Sequence, residues 1–411
     1  MSGALESRFN GLAAAQPALP AAWYRDPAHH ARELDAIWRR SWLYLCRAET
    51  LAGPRAFRSF SVAGQEILLV RGEDGALRGY FNTCRHRGSM LCTATAGRLE
   101  RGLIVCPYHQ WAYDLEGRLR ATGAMRKVAG FDRAEHGLHP VAVAEWGGFV
   151  FVNPAGAAAV PFLEQFGAEL AWVVRWPLAD LVVGHSYRRT LACNWKVFWE
   201  NFNECLHCPN VHPELCELVP IYGRAIMARR DDPDWQAQAA NPAPAFAGGL
   251  RAGAETWSTD GRAQGVLAGL SAEDRAAGQR YATLVPSVFI AAHVDYVRAV
   301  RILPLGPEAM ELSAEWLFDP AMLARADFDM ARITEFGTLV MEQDGAACEL
   351  NQRGLRSAAF ERGVLMQEEY EVFLFQDWVR GQLGEPTLGE PTPGEPTLGE
   401  PVGSRASRRA E

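Results

Sequence analysis

The sequence has no surplus of positive charge. Its 411 residues carry 41 lysines and arginines against 49 aspartates and glutamates, a net charge of −8. Nothing concentrates cations for phosphates, which argues against a nucleic-acid partner. No apolar run reaches the roughly 20 residues that span a bilayer, so no membrane partner is expected. The first twenty residues, MSGALESRFNGLAAAQPALP, lack the basic-then-apolar pattern of a secretory leader, and a cytoplasmic protein is expected. A disulfide framework is missing too: nine cysteines, an odd number, are scattered over a long chain. No G-x-G-x-x-G follows a strand-like run, so nothing points to a dinucleotide held by this chain. What remains is an ordinary globular composition, 48% hydrophobic and 22% charged, long enough for two or three domains.

Four stretches differ in texture. Residues 1–41 hold one helical segment, predicted over 22–40. There Asp26 is placed to cap it, Pro27 takes the first helical position, and Leu34, Ile37 and Trp38 form an apolar face. This segment is expected to pack on the domain that follows residue 155. Residues 42–155 alternate short strand-like runs (FRSFSV, EILLVRG, RGYFNT, GFVFVN) with Gly-containing turns, GEDG at 72–75 reading as a hairpin. Residues 156–383 mix strands (YATLVPSVFIAAH, YVRAVRILPLG, MELSAEWLF) with a long helix over 328–357 and a loop over 230–255. From residue 384 the chain repeats GEPTL, GEPTP, GEPTL, GEPVG, which cannot bury a core and reads as a disordered tail. The fold class is α+β: a small all-β domain, then a domain built on an antiparallel sheet.

The strongest chemical signal is Cys84-Arg85-His86 followed by Cys106-Pro107-Tyr108-His109. Each loop donates one thiolate and one imidazole. Four such ligands could hold zinc, but zinc fingers group two cysteines and then two histidines. One ligand of each kind per loop suits a 2Fe–2S cluster with unequal irons, one taking both thiolates and the other both imidazoles. CRHRG and CPYHQW closely resemble the C-x-H and C-x-x-H boxes of the Rieske family. Gly88 and Pro107 suit tight loops, and Trp111 and Tyr108 are expected to shield the cluster. Cys92 fits neither box and reads as a core cysteine.

The second constellation is ENFNECLHCPNVHPE, residues 200–214. Glu204 and His207, three apart, are predicted to share a helix face. His207 and His212, five apart, do not align on a straight helix, but Pro209 and Pro213 must end or distort it. Oxygen-activating iron(II) commonly takes two histidines and one carboxylate. In the long helix Asp344 falls on the face of Ile333, Phe336, Val340, Ala347 and Asn351, whereas Glu342 and Glu349 do not. A buried acid needs a cation, which makes Asp344 the third ligand candidate.

Over roughly residues 20–380 the chain resembles the Rieske non-haem iron oxygenase α subunit, whose motif reads Asn-x-x-acid-x-x-His-x-x-x-x-His with a distant Asp. Asn201, Glu204, His207, His212 and Asp344 match it. The resemblance implies a helix-grip-like catalytic domain, a Rieske 2Fe–2S cluster and a mononuclear Fe(II). It also implies a homotrimer in which Glu204, where most of the family has Asp, bridges His207 to His109 of a neighbouring chain. A separate NAD(P)H-dependent reductase, of flavin or ferredoxin type, would supply electrons for O₂ and a small-molecule substrate. Glu204 within ENFNECLHC resembles the branch oxidising quaternary ammonium compounds such as glycine betaine, carnitine, stachydrine or choline. Such a cation needs an aromatic cage, and Trp199, Phe202, Trp257, Tyr281, Phe289, Tyr296 and Trp316 are available. Hydroxylation of an aromatic ring or acid is the enzymatic alternative, and a non-catalytic Rieske electron carrier the alternative of another class.

Overall fold

The computed structural model describes residues 9–126 and 128–386. The repeat-bearing tail lies outside the described residues from 387 onward. The chain divides into two compact units: Trp38–Pro161, and the chain before Trp38 joined to the chain from Phe162 onward.

The smaller unit is all-β. A seven-stranded antiparallel sheet runs in the order Leu43–Arg47, Phe149–Asn153, Pro140–Trp146, Leu77–Phe81, Gln65–Arg71, Ala56–Val62, Ala96–Arg98. A three-stranded sheet is formed by Leu103–Val105, Trp111–Asp114 and Leu119–Thr122. The hairpin turn expected at 72–75 is present: Gly72 N donates to Ala76 O, and Gly75 takes φ +79°, which only glycine adopts cheaply. Phe57, Leu68, Val70, Tyr80, Ile104, Trp111 and Tyr113 share one core with Cys84, Cys92 and Cys106. Cys92 is held there by backbone bonds to Asn82, as its core reading requires.

The larger unit is built on a five-stranded antiparallel sheet in the order Val182–Leu191, Ala309–Phe318, Val297–Gly306, Val288–His293, Gln279–Leu284. The 25-residue helix Ala331–Leu355 and the helix Trp195–Phe202 pack together and reach this sheet. The buried stripe of the long helix runs through Ile333, Phe336, Gly337, Val340, Met341, Gly345, Cys348 and Gln352. Asp344 flanks that stripe and Asn351 is exposed, so the predicted face is rotated from the observed one. From Met341 onward the observed stripe runs one residue ahead of the predicted face, through Gly345, Cys348 and Gln352 in place of Asp344, Ala347 and Asn351.

The predicted helix over 22–40 is interrupted. Its regular part is Pro27–Ala36, capped by Asp26 Oδ1 accepting from Ala28 N at 2.8 Å. Trp38–Arg40 form a separate 3₁₀ turn, because the division between the two cores passes between Ile37 and Trp38. The helix delivers Glu33 to the fully buried Lys196. Lys196 Nζ bonds Glu33 Oε1 at 2.5 Å, Asn194 Oδ1 at 2.8 Å and Trp23 O at 2.9 Å, satisfying all three donors. Trp195 Nε1 donates to the other Glu33 oxygen at 2.8 Å. Burial alone would raise the Glu33 carboxyl; Lys196, His29 and His30 outweigh it and hold it well below the usual carboxylate range. Its stabilisation is therefore present above the ordinary carboxylate pKa and lost as pH falls. Lys196→Met strands a buried carboxylate and is expected to cost about 3–5 kcal/mol at neutral pH. The penalty should shrink toward pH 4, where Glu33 can be neutral. Urea unfolding at the two pH values checks this, and an equal penalty at both would show that the pair is not the cause.

Candidate metal centres

In the smaller unit two loops of matching form carry the four predicted cluster ligands. Cys84 N donates to Ser89 O at 2.8 Å, and Gly88 N donates back to Cys84 O at 3.0 Å. In the second loop Cys106 N donates to Trp111 O at 2.8 Å and Gln110 N to Cys106 O at 3.0 Å. Gly88 takes φ +74°, and Gly123 lets the second loop approach, since a Cβ there would lie 2.5 Å from His109 O. The thiols of Cys84 and Cys106 are buried, and the two imidazoles stand partly exposed. His86 Nδ1 and His109 Nδ1 face each other at 3.2 Å. Two neutral imidazoles turned Nδ1 to Nδ1, with two thiols behind them, fit a shared metal cluster better than a single hydrogen bond.

Trp111 stacks on His86 with ring centroids 4.9 Å apart, as expected of a shield. Tyr108 does not close the site in the single chain: it is 59% exposed, lying over His109 and under Arg87. Two contacts carried no motif. Tyr113 Oη reaches Cys84 Sγ at 3.3 Å and accepts from Arg85 N at 3.1 Å. Arg87 Nη2 donates to His109 Nε2 at 2.9 Å.

In the larger unit the helix Trp195–Phe202 ends at Asn203, and Glu204 lies beyond it. The predicted shared helix face for Glu204 and His207 is therefore wrong. The Glu204 carboxylate takes the backbone N–H groups of Leu206 and His207, which a continuing helix would have used, and Pro209 opens a new short helix. The resulting turn swings His207 and His212 to one point. His212 Nε2 lies 2.8 Å from Asp344 Oδ1, and His207 Nε2 lies 3.4 Å from the same oxygen. The three ligand atoms all fall within 4.8 Å of one another.

The outward nitrogens are also held. Glu204 Oε1 accepts from His207 Nδ1 at 2.6 Å, and Gln343 Oε1 from His212 Nδ1 at 2.8 Å. Such contacts fix the tautomer and aim Nε2 inward. Asn201 Nδ2 stands 3.4 Å from both His207 ring nitrogens, lying against the ring. Burial alone would draw His207 down, but Asp344 and Glu204 outweigh it and push it up to about 9. Glu342 and Glu349 are engaged elsewhere, with Tyr187 and Arg189 and with Arg189 and Ala192 N. Gln343 and Tyr113 were missed because no spacing rule points to them; Gln343 could have been suspected only as Asp344's neighbour.

The aromatic residues separate into two groups. Phe202 stacks on Phe289 at 4.3 Å, with Trp199 and Tyr281 around them. Trp257 packs edge-on to Phe336 at 6.0 Å, in an apolar cluster with Leu215, Leu218 and Val340. Leu215 lies three residues from His212 and Val340 four from Asp344, so this cluster approaches the triad along both chains. Sequence spacing joined neither Cys205 nor Cys208 to a partner; the structure links them to each other by a disulfide.

Residues 41–132 match the Rieske [2Fe-2S] domain, and residues 178–385 match the ring-hydroxylating α-subunit catalytic domain. The chain belongs to the Rieske oxygenase α-subunit family. It is 31% identical to the glycine betaine monooxygenase oxygenase subunit of Chromohalobacter salexigens over 88% of this chain and 84% of that one. It is 31% identical to the carnitine monooxygenase oxygenase subunit of Escherichia coli over 49% and 54% of the two chains. Among solved structures, the quaternary ammonium Rieske monooxygenase CntA superposes with a TM-score of 0.65 at 21% identity, covering 89% of this chain and 95% of that one. Naphthalene 1,2-dioxygenase from Rhodococcus sp. gives 0.64 at 19%, covering 90% and 95%. These two likenesses concern the fold. Family membership brings a Rieske cluster, a mononuclear iron, a separate reductase and an oligomeric oxygenase, and the electron-carrier alternative falls with the catalytic domain. No described helix is long and apolar enough to cross a membrane.

A metal entering the triad must displace the proton that Asp344 and Glu204 hold on His207. Binding of Co(II) to iron-depleted oxygenase subunit is expected to tighten by about tenfold per pH unit for each proton released, up to about pH 9. Asp344→Asn should lose this metal while keeping the brown cluster. Calorimetry in two buffers of different ionisation heat checks the first, and iron and sulfide analysis the second. Retention of the mononuclear metal by the Asp344 variant would remove Asp344 from the ligand set.

Proposed function

We propose that this chain is the terminal oxygenase of a system that oxidises an N-methyl group of a small quaternary ammonium compound. The observation that carries the substrate class is the likeness to a glycine betaine monooxygenase oxygenase subunit along most of both chains, with Glu204 set in ENFNECLHC. In this reading Cys84 and Cys106 hold one iron of the cluster, His86 and His109 the other, and His207, His212 and Asp344 the mononuclear iron. When bound, the cluster passes electrons singly and the mononuclear iron activates O₂.

The chain's own residues supply position and proton control. Glu204 and Gln343 hold His207 and His212 with Nε2 inward, and Asp344 offers them one oxygen. Trp257 and Phe336 pack edge-on in a buried apolar cluster with Leu215 and Val340, and such aromatic faces suit a trimethylammonium group and exclude water. Hydroxylation of one methyl consumes O₂, two electrons and two protons and forms water. The hydroxymethylammonium product then loses formaldehyde and a proton, leaving a tertiary amine. The electrons come from a separate NAD(P)H-dependent reductase of flavin or ferredoxin type, in the cytoplasm.

The Glu204 side chain keeps 15% of its surface exposed, and His109 is likewise partly exposed. We read this as a homotrimer in which Glu204 of one chain links His207 to the neighbour's His109, with Asn201 steadying the His207 ring. Glu204→Gln should leave both metal centres bound and slow oxidation of the reduced cluster by at least about tenfold in single turnover with substrate and O₂. Unchanged cluster oxidation would end the bridging role. The substrate reading is tested with betaine-like compounds and benzoate-like acids side by side. Formaldehyde release matched to O₂ uptake is expected only from the former; turnover of the aromatic acids alone would favour ring hydroxylation.

A further inference from the structure

We infer that Arg298, with His293 and the indole N–H of Trp316, forms a carboxylate-recognition subsite beneath the long helix, fixing the acid end of a zwitterionic quaternary ammonium substrate. The inference rests on the quaternary ammonium reading and adds the second group the substrate must carry.

These residues come from three adjacent strands. Arg298 pairs with Trp316 on one side and with Ala291 on the other, and His293 lies two residues beyond Ala291. Alternation along a strand puts all of them on one sheet face. That face meets the helix Ala331–Leu355, since Arg298 Nη1 donates to Gly337 O at 3.3 Å. Gly337 is needed for the approach: a Cβ there would lie 2.7 Å from Arg298 Nη1 and 3.0 Å from the Trp316 ring. Gly337 precedes Asp344 by two helical turns, about 10 Å along the axis.

The subsite is buried and rich in unused donors. Arg298 is 3% exposed, Trp257 4%, and His293 and Trp316 are fully buried. Arg298 Nε, both His293 ring nitrogens, and Nε1 of Trp257 and of Trp316 meet no hydrogen-bond partner among the described residues. Arginine and indole nitrogens only donate, and the guanidinium does not shed its proton. Buried cations are paired as a rule, yet no described carboxylate forms an ion pair with Arg298. The nearby Asp295 is turned away, accepting from Thr256 Oγ1 at 2.6 Å and Gln264 N at 3.1 Å. The indole faces offer weak compensation, at 5.8 Å for Trp257 and 6.0 Å for Trp316, near the outer limit of a cation–π contact. Burial, and then the Arg298 charge, hold His293 well below the ordinary imidazole range, so it presents one N–H and no competing charge.

An anion satisfies this set, and a planar carboxylate matches the guanidinium fork. The same positive charge repels an ammonium, so a zwitterion is oriented: acid toward Arg298, methylated nitrogen toward the triad. The spacing calls for a substrate with several bonds between the two groups.

Calorimetric binding to the metal-loaded protein tests this with carnitine, gamma-butyrobetaine, their methyl esters and choline. The acids are expected to bind at least about tenfold more tightly than the esters and choline, a difference typical of a charge-assisted pair. Arg298→Met should abolish that preference, weakening the acids while leaving the esters within about twofold, and should raise KM more than it lowers kcat. If the variant does not fold, the wild-type comparison of acid with ester decides alone. Equal affinity for acid and ester overturns the subsite while the quaternary ammonium reading stands. Failure of every quaternary ammonium ligand to bind overturns both.

Discussion

Two imidazoles and one carboxylate oxygen must meet at a point, and the larger unit is arranged to allow it. The oxygen is Asp344 Oδ1, midway along a 25-residue helix; the imidazoles follow the end of a second helix that packs against it. A continuous second helix would carry His207 and His212 to different sides. The break after Phe202 is therefore as necessary as the ligands themselves. It is enforced by Glu204, whose carboxylate takes backbone donors, and by prolines at 209 and 213 that cannot supply them. One residue thus serves twice: Glu204 ends the helix with one oxygen and orients His207 with the other.

The convergence is stable only because the helix carrying it is anchored at its other end. Lys196 and Glu33 tie the start of Trp195–Phe202 to the N-terminal segment. One turn further on, Glu200 accepts from Tyr24 Oη at 2.6 Å and from Gln376 Nε2 at 2.9 Å. Burial pushes Glu200 up to about 7, against these two donors. Glu200, Asn201, Glu204 and His207 line a cavity of about 300 Å³ that the N-terminal segment and the last helix help enclose. The chain before Trp38 is thus part of the wall behind His207, which explains why it packs with the unit that follows residue 161 and not with the residues next to it in sequence.

What the sequence made legible was whatever is contiguous or periodic. The two Cys/His loops could be read because each ligand pair sits in one short turn, and the hairpin at 72–75 because its glycines admit few conformations. His207 and His212 were legible as a pair, and Asp344 as an acid on a helix, though the buried stripe passes one residue beyond it. The shared helix face for Glu204 was wrong because propensity does not see a side chain competing for backbone donors. Tyr113, Gln343 and Arg298 were invisible for another reason. Each matters through a partner across a sheet or between helices, and strand alternation reports burial without reporting what lies opposite.

The two metal centres use the same side chain in opposite senses, and local backbone explains it. In the cluster loops the imidazoles turn Nδ1 toward each other, leaving Nε2 of His109 outward at the tip, where Arg87 meets it. A histidine two or three residues from a cysteine in a tight turn reaches a common centre with its nearer nitrogen. In the catalytic triad Nε2 points in and Nδ1 is held by Glu204 or Gln343, because the ligands reach across from separate elements and need their full length. The outward nitrogen of each centre is consequently the one met by another group: Arg87 at Nε2 of His109, Glu204 at Nδ1 of His207. For His207 that group is a carboxylate whose second oxygen already closes the helix end, so the orientation of the imidazole and the break in the backbone depend on one side chain.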